Sequence, residues 1–255
     1  MPITEGVAWD GRLEDFRGAS SGLYALAAAA TARTCAGCGM PVRAGESLSL
    51  VVDVAEGAGP GSIRYVTFDP SVCHRGCCNP AVRVQPMTTA PDHLKAVGAL
   101  VTLKDRDRAQ AKSVPALIFT LVPTLVFYEP AGEPISALVT LLLSRGFQLT
   151  PSPDYAEIVR QARTVRERAV CTITDGALVT LEVDGRLLYR QQLDVADSRD
   201  AAWLAAANGT REVLVITGDS LGMGTQDMDL APAAALGTLV TGLVPVRHGH
   251  LAGPY

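Results

Sequence analysis

Two different periods of apolar residues divide this chain into elements. Near the N-terminus Leu23, Leu26 and Ala30 recur at helical spacing inside an alanine-rich run, which predicts a helix. Residues 47–54 are rich in β-branched side chains and predict a strand. Residues 55–62 hold three glycines and a proline and predict a loop; residues 63–68 alternate apolar with polar, as a returning strand does. Asp69-Pro70-Ser71 then reads as a turn or a helix start, and Val82-Arg83-Val84 as one more short strand. Pro86 and Pro91 mark a connector. Residues 92–101 place Leu94, Val97 and Leu100 or Val101 on one helical face, and Lys104-Asp105-Arg106-Asp107-Arg108 alternates in sign like a solvated linker.

Beyond about residue 110 strands and helices alternate. The longest apolar run, residues 114–128, is too short to cross a bilayer and is punctuated by Pro115 and Pro123, so it reads as buried strand in two parts, 116–122 and 124–128. A helix over 135–144 is entered after Glu133-Pro134 and closed by Gly146. A strand over 147–149 and a helix over 154–168 follow. Asp175-Gly176 and Asp184-Gly185 are hairpin signals and set up a three-stranded meander over 169–174, 177–183 and 187–193. A helix over 200–207, a strongly apolar strand over 212–217 and a last helix over 231–243 complete the chain. The expected fold class is α+β: a helical segment over 1–34, a small module over 35–90, a helix and linker over 91–112, and a mixed α/β domain over 113–255. In that domain the order strand, strand, helix, strand recurs at 116–149 and 169–217 and suggests an internal duplication.

The chemistry is concentrated in the small module. Five of the six cysteines and one of the four histidines fall between Cys35 and Cys78. Cys35 and Cys38, two residues apart, can turn around one ion, and Gly37 and Gly39 suit the positive φ of such a knuckle. His74 and Cys77 stand at i and i+3, so their side chains share one face of a helical turn. Thiolates and imidazole are the donors that Zn2+ takes in a tetrahedron, and the expected set is Cys35, Cys38, His74 and Cys77. An all-cysteine set with Cys73 in place of His74 is the alternative; otherwise Cys73 and Cys78 serve as small buried apolar residues. A redox Cys-x-x-Cys pair or a set of disulfides is the competing reading. Knuckle, hairpin and a short helix with the second ligand pair is the order of treble-clef zinc fingers, which residues 35–80 resemble. The resemblance implies a structural zinc and leaves its partner open. Asn79-Pro80 would cut the final helix short.

Composition narrows the setting. The 255 residues suffice for one large or two small domains, and an apolar content of 48% supports a substantial core. A net charge of −4 argues against a globally basic nucleic-acid binder. Arginine outnumbers lysine 19 to 3, the usage of a GC-rich bacterial genome. Glu5, Asp10, Glu14 and Asp15 precede any apolar run, which argues against an export signal and for reduced cysteines in a cytoplasmic protein.

Two further patterns bear on function. Arg160, Arg163 and Arg166 recur every three residues on the predicted 154–168 helix and form a candidate phosphate-contacting stripe, or simply a solvated face shared with Glu157 and Glu167. Gly218-Asp219-Ser220-Leu221, directly after the 212–217 strand, resembles the first motif of GDSL-type hydrolases. That resemblance implies Ser220 as nucleophile and a histidine as its base; apart from the motif, His248 or His250 could serve in space, with Asp227 or Asp229 to orient it. Only 34 residues follow Leu221, and Pro245 stands where an Asp-x-x-His block would place its aspartate, so the local pattern favours a glycine-rich turn. Cys171, mid-strand, reads as core. The expected function is that of an intracellular binding or regulatory protein with a structural zinc and a protein or nucleic-acid partner; the alternative is a serine hydrolase.

Overall fold

The computed structural model describes residues 1–58, 64–87, 94–105, 112–128, 134–165, 168–223 and 228–249. The chain enters through β1 (Ile3–Thr4), β2 (Val7–Ala8), α1 (Glu14–Arg17) and α2 (Ser21–Thr31). β3 (Leu48–Ala58), β4 (Arg64–His74) and β5 (Ala81–Pro86) follow. Next come β6 (Lys95–Asp105), β7 (Lys112–Val122), β8 (Thr124–Tyr128), β9 (Pro134–Ser136), α3 (Ala137–Leu143), β10 (Gln148–Leu149) and α4 (Tyr155–Gln161). The meander β11 (Ala169–Thr174), β12 (Leu178–Val183) and β13 (Arg186–Gln192) leads into α5 (Ser198–Thr210) and β14 (Glu212–Thr217). β15 (Gly222–Met223), β16 (Met228–Asp229), α6 (Ala231–Ala235) and β17 (Val240–Gly249) are last. Strands outweigh helices, and the class is mixed αβ. Two compact units form, each from several stretches of chain.

The first unit gathers Met1–Lys95, Leu121–Thr140 and Asp219–Thr238. Its sheet runs β1-β2-β3-β4-β8-β9, with β5 also on β3. β3 and β4 pair antiparallel along their whole length, from Leu48 opposite His74 to Ala58 opposite Arg64. The pleat sends Leu48, Leu50, Val52 and Val54 of β3 into one core, where they meet Val66, Phe68 and Val72 of β4. α2 packs on this core through Tyr24, Ala25 and Ala28; alanine lets the helix approach closely, and Tyr24 sets its ring 5.9 Å from that of Phe68. β4 carries Pro70 in its interior. β8 pairs with β4 only from Arg64 to Phe68, so on that side no ladder partner needs the missing N–H.

The second unit gathers Ala96–Thr120, Leu141–Gly218 and Leu239–Tyr255. Its sheet runs β13-β12-β11-β17-β14-β7-β6, with β10 also on β17. β17 lies parallel to β11 and antiparallel to β14, and β14 lies parallel to β7. Ala116, Leu117, Ile118 and Phe119 of β7 and Val213 to Ile216 of β14 are all buried, which is why both strands read as unbroken apolar runs. Asp197 caps α5 by accepting from the Arg199 and Asp200 N–H groups, and the Trp203 indole donates to the Ala116 carbonyl at 2.9 Å. Gly98 in β6 permits a close approach: a Cβ there would stand 2.2 Å from the Ile118 carbonyl oxygen.

Several predicted helices are corrected. The 92–101 segment is strand from Lys95 onward, in a ladder with β7; residues 92 and 93 lie outside the described set. The last helix stops at Ala235, Gly237 takes φ +67, and Val240 begins β17. The helix expected over 154–168 ends at Gln161, because Thr164 forms a bridge with Leu243 and the Val165 N–H donates to the Leu243 carbonyl. The turn or helix start at Asp69 is instead the middle of β4. The strand-strand-helix-strand order does recur, but β7 and β8 join different sheets while β11, β12 and β13 share one, so the pairing does not repeat.

Candidate metal centre

The knuckle is built by backbone. Thr34 and Pro41 form a bridge, the Cys35 N–H donates to the Met40 carbonyl at 2.8 Å, and the Gly39 N–H returns to the Cys35 carbonyl at 2.8 Å. Gly39 takes φ +72, as a tight turn requires, whereas Gly37 serves for room. A Cβ on residue 37 would stand 3.0 Å from both Cys77 Cβ and Cys78 Sγ. The Ala36 N–H donates to the Val72 carbonyl at 2.9 Å and docks the knuckle on the end of β4.

The second half comes from the far side of the long hairpin in sequence, which returns the chain to the same open end. His74 is the last residue of β4, opposite Leu48, and the Cys77 N–H donates to the His74 carbonyl at 2.9 Å to close a turn. The second pair therefore sits on a strand end and a turn, where a short helix was expected.

These segments bring Cys35, Cys38, His74 and Cys77 together, with one donor atom of each within 4.8 Å of all the others. His74 Nδ1 lies 3.4 Å from Cys38 Sγ and 4.0 Å from Cys77 Sγ. Four donors at zinc-like bond lengths stand about 3.8 Å apart along a tetrahedron's edges, so this grouping suits a small tetrahedral cation. Cys35 is buried and Cys38 and Cys77 are exposed, so the site opens to solvent on one side. Cys73, the alternative ligand, is outside the tetrad and faces Cys78, with its sulfur 2.7 Å from that of Cys78.

The electrostatics favour a bound cation. Burial acts most strongly on the Cys35 thiol and works to raise its pKa, but the backbone N–H groups of His74, Cys38 and Gly37 outweigh it and hold the value at about 6. The His74 N–H reaches this sulfur at 3.2 Å. Cys77 moves the other way, to about 11, pushed first by the Cys38 sulfur beside it and then by burial. A cation entering the tetrad therefore displaces protons. Behind it, Glu46 Oε2 stands 3.2 Å from His74 Nε2. The two atoms are close, but Nε2 makes no directed hydrogen bond. The Arg43 N–H, donating to the same carboxylate oxygen at 2.9 Å, holds Glu46 in place. A carboxylate held beside a ligating imidazole helps fix its orientation. Glu46 carries no spacing signal in the sequence.

The other candidates are placed as follows. Ser220 follows β14 in a turn with φ 62 and belongs to the first unit; His248 is exposed on β17 of the second. Asp219 is buried and accepts from the Ser136 hydroxyl at 3.1 Å. Burial pushes its carboxyl up to about 6, against the pull of Arg17 and of the Ser136 bond. Asp229 Oδ1 accepts from the Ala231 N–H. Arg160 lies on α4, and Arg163 lies beyond the helix's end, so the two do not share a helical stripe. His250, Arg166 and Asp227 lie outside the described residues. Cys171 is fully buried in β11, and burial raises its thiol to about 12. Among the described residues no helix is long and apolar enough to cross a membrane.

Comparison with protein-family models, curated proteins and solved structures finds no match to this chain. The fold and the tetrad define a mixed αβ protein with a candidate Cys3His metal centre.

Proposed function

We propose that the tetrad holds one structural Zn2+ and that the chain is a binding or regulatory protein whose zinc-pinned knuckle meets a partner. The observation that carries this is the closed donor set: three cysteine sulfurs and one imidazole from two segments converge on one point. Such a set fills every position of a tetrahedron and leaves none for substrate, which separates a structural zinc from a catalytic one. The zinc-finger likeness rests on the knuckle and the hairpin; the treble-clef helix is replaced by a turn. A protein partner is favoured over nucleic acid by the net charge of −4 and by an α4 too short for an arginine stripe. The test is cross-linking of the zinc-loaded chain in an extract of its own cells, beside Cys38→Ser. A partner captured by the intact chain and lost with the variant is the expected result, and equal capture by both contradicts it.

A serine hydrolase using Ser220 is the second reading, favoured by the left-handed backbone of Ser220, three residues beyond the end of β14. Covalent labelling of Ser220 by a fluorophosphonate, lost in Ser220→Ala, is the outcome that would replace the binding reading with this one.

A further inference from the structure

Two sulfurs beside the tetrad are not used by it. Cys73 is buried, with 2% of its surface exposed, and Cys78 is half-buried. β4 ends at His74, and the chain turns back with the Cys77 and Cys78 N–H groups both directed at the His74 carbonyl, at 2.9 and 3.4 Å. That turn returns Cys78 to the side of Cys73 and sets their sulfurs 2.7 Å apart, against about 2.05 Å in a formed disulfide. Gly37 of the knuckle walls the pair, since a Cβ there would stand 3.0 Å from Cys78 Sγ.

We infer that Cys73 and Cys78 form a peroxide-sensitive dithiol that closes into a disulfide while Cys35, Cys38, His74 and Cys77 keep their metal. Cys78, the more exposed of the two residues, reacts first. Its thiolate attacks one oxygen of hydrogen peroxide; the S–O bond forms, the O–O bond breaks, and the second oxygen leaves as water after taking up a proton. The sulfur has lost two electrons and is a sulfenic acid. Cys73 sulfur then attacks it: the S–S bond forms, the S–O bond breaks, and hydroxide leaves as water with the Cys73 proton. Two thiols and one peroxide give one disulfide and two waters, and a small-molecule thiol reverses the reaction by exchange. The tetrad is spared because a metal-bound thiolate already shares its lone pair. The cross-link closes a ring around His74 and Cys77, so oxidation ties down the second ligand pair.

The test treats metal-loaded, reduced protein with one equivalent of hydrogen peroxide, then alkylates and digests it with trypsin. Cleavage after Arg64, Arg75 and Arg83 leaves Cys73 on fragment 65–75 and Cys78, with Cys77, on fragment 76–83. The expected result is a fall from six free thiols to four, full metal retention, and the two fragments joined and lighter by two hydrogens. The join is lost in Cys73→Ser, where a sulfenic-acid trap labels Cys78, and in Cys78→Ser; both variants are checked for metal content and thermal unfolding. Oxidation should also slow metal transfer to a chelator several-fold. Metal loss in step with thiol loss, a cross-link to Cys35, Cys38 or Cys77, or six thiols still alkylatable would overturn the inference. A chain that carries no metal defeats the zinc assignment instead, and the joined fragments are still read in the same digest.

Discussion

Asp219 and Glu46 show what single residues contribute here. Asp219 ionises at about 6 in the folded chain against an ordinary value of 3.8. Between those values the folded state holds a proton that the unfolded state has released, so stability falls as pH rises from about 4 to about 6 and levels off above. The loss is about 3 kcal/mol. Asp219→Asn keeps an acceptor for Ser136 and removes the ionisation, so thermal melts should show a flatter pH profile and a higher midpoint at pH 8, with little change at pH 4. Glu46→Gln should leave the fold intact and weaken metal binding about tenfold in competition with a chelator. The four residues of the tetrad were legible in the sequence because Cys-x-x-Cys and His-x-x-Cys spacings each bring two donors to one point. Glu46 was not: its partner is 28 positions away and is met only because β3 and β4 place Leu48 opposite His74. Gly37 was singled out for the wrong reason, since close approach rather than positive φ demands it.

Hairpins were read well and several helices poorly, and the cause is the range of the signals. Asp175-Gly176 and Asp184-Gly185 encode local turns, and β11, β12 and β13 stand close to their expected bounds. Residues 240–249 are decided by β10 and β11, far away in sequence, and residues 95–105 by the ladder with β7. Leu94, Val97 and Val101 fit a helical face, yet the segment pairs with β7, and Gly98 makes the approach possible. Gly98→Ala would drive a Cβ to 2.2 Å from the Ile118 oxygen and 2.6 Å from Phe119 Cβ. It should cost about 2–3 kcal/mol and lower the unfolding midpoint of the second unit by several degrees. The tetrad offers a parallel case. Gly37→Ala should weaken metal binding with all four donors intact, because the knuckle must lift from Cys77 to make room.

At the scale of the molecule, the metal's influence is bounded by the sheet around it. Loss of Cys35 in an isolated finger would unfold the whole module, where structural zinc contributes on the order of 10 kcal/mol. Here β3 and β4 are paired over eleven residues each and share a core with α2, so residues 48–58 and 64–72 are largely held without the ion. Chelation should therefore raise hydrogen exchange at the knuckle and at residues 73–78. β3, residues 64–72 of β4 and the second unit, which carries no residue of the tetrad, should change little. The centre's existence is tested most directly by metal content per chain on protein purified under reducing conditions, beside Cys38→Ser prepared identically. About one zinc per chain in the intact protein, with little in the variant, is the predicted result. No metal in the intact protein, or equal metal in both, would contradict it.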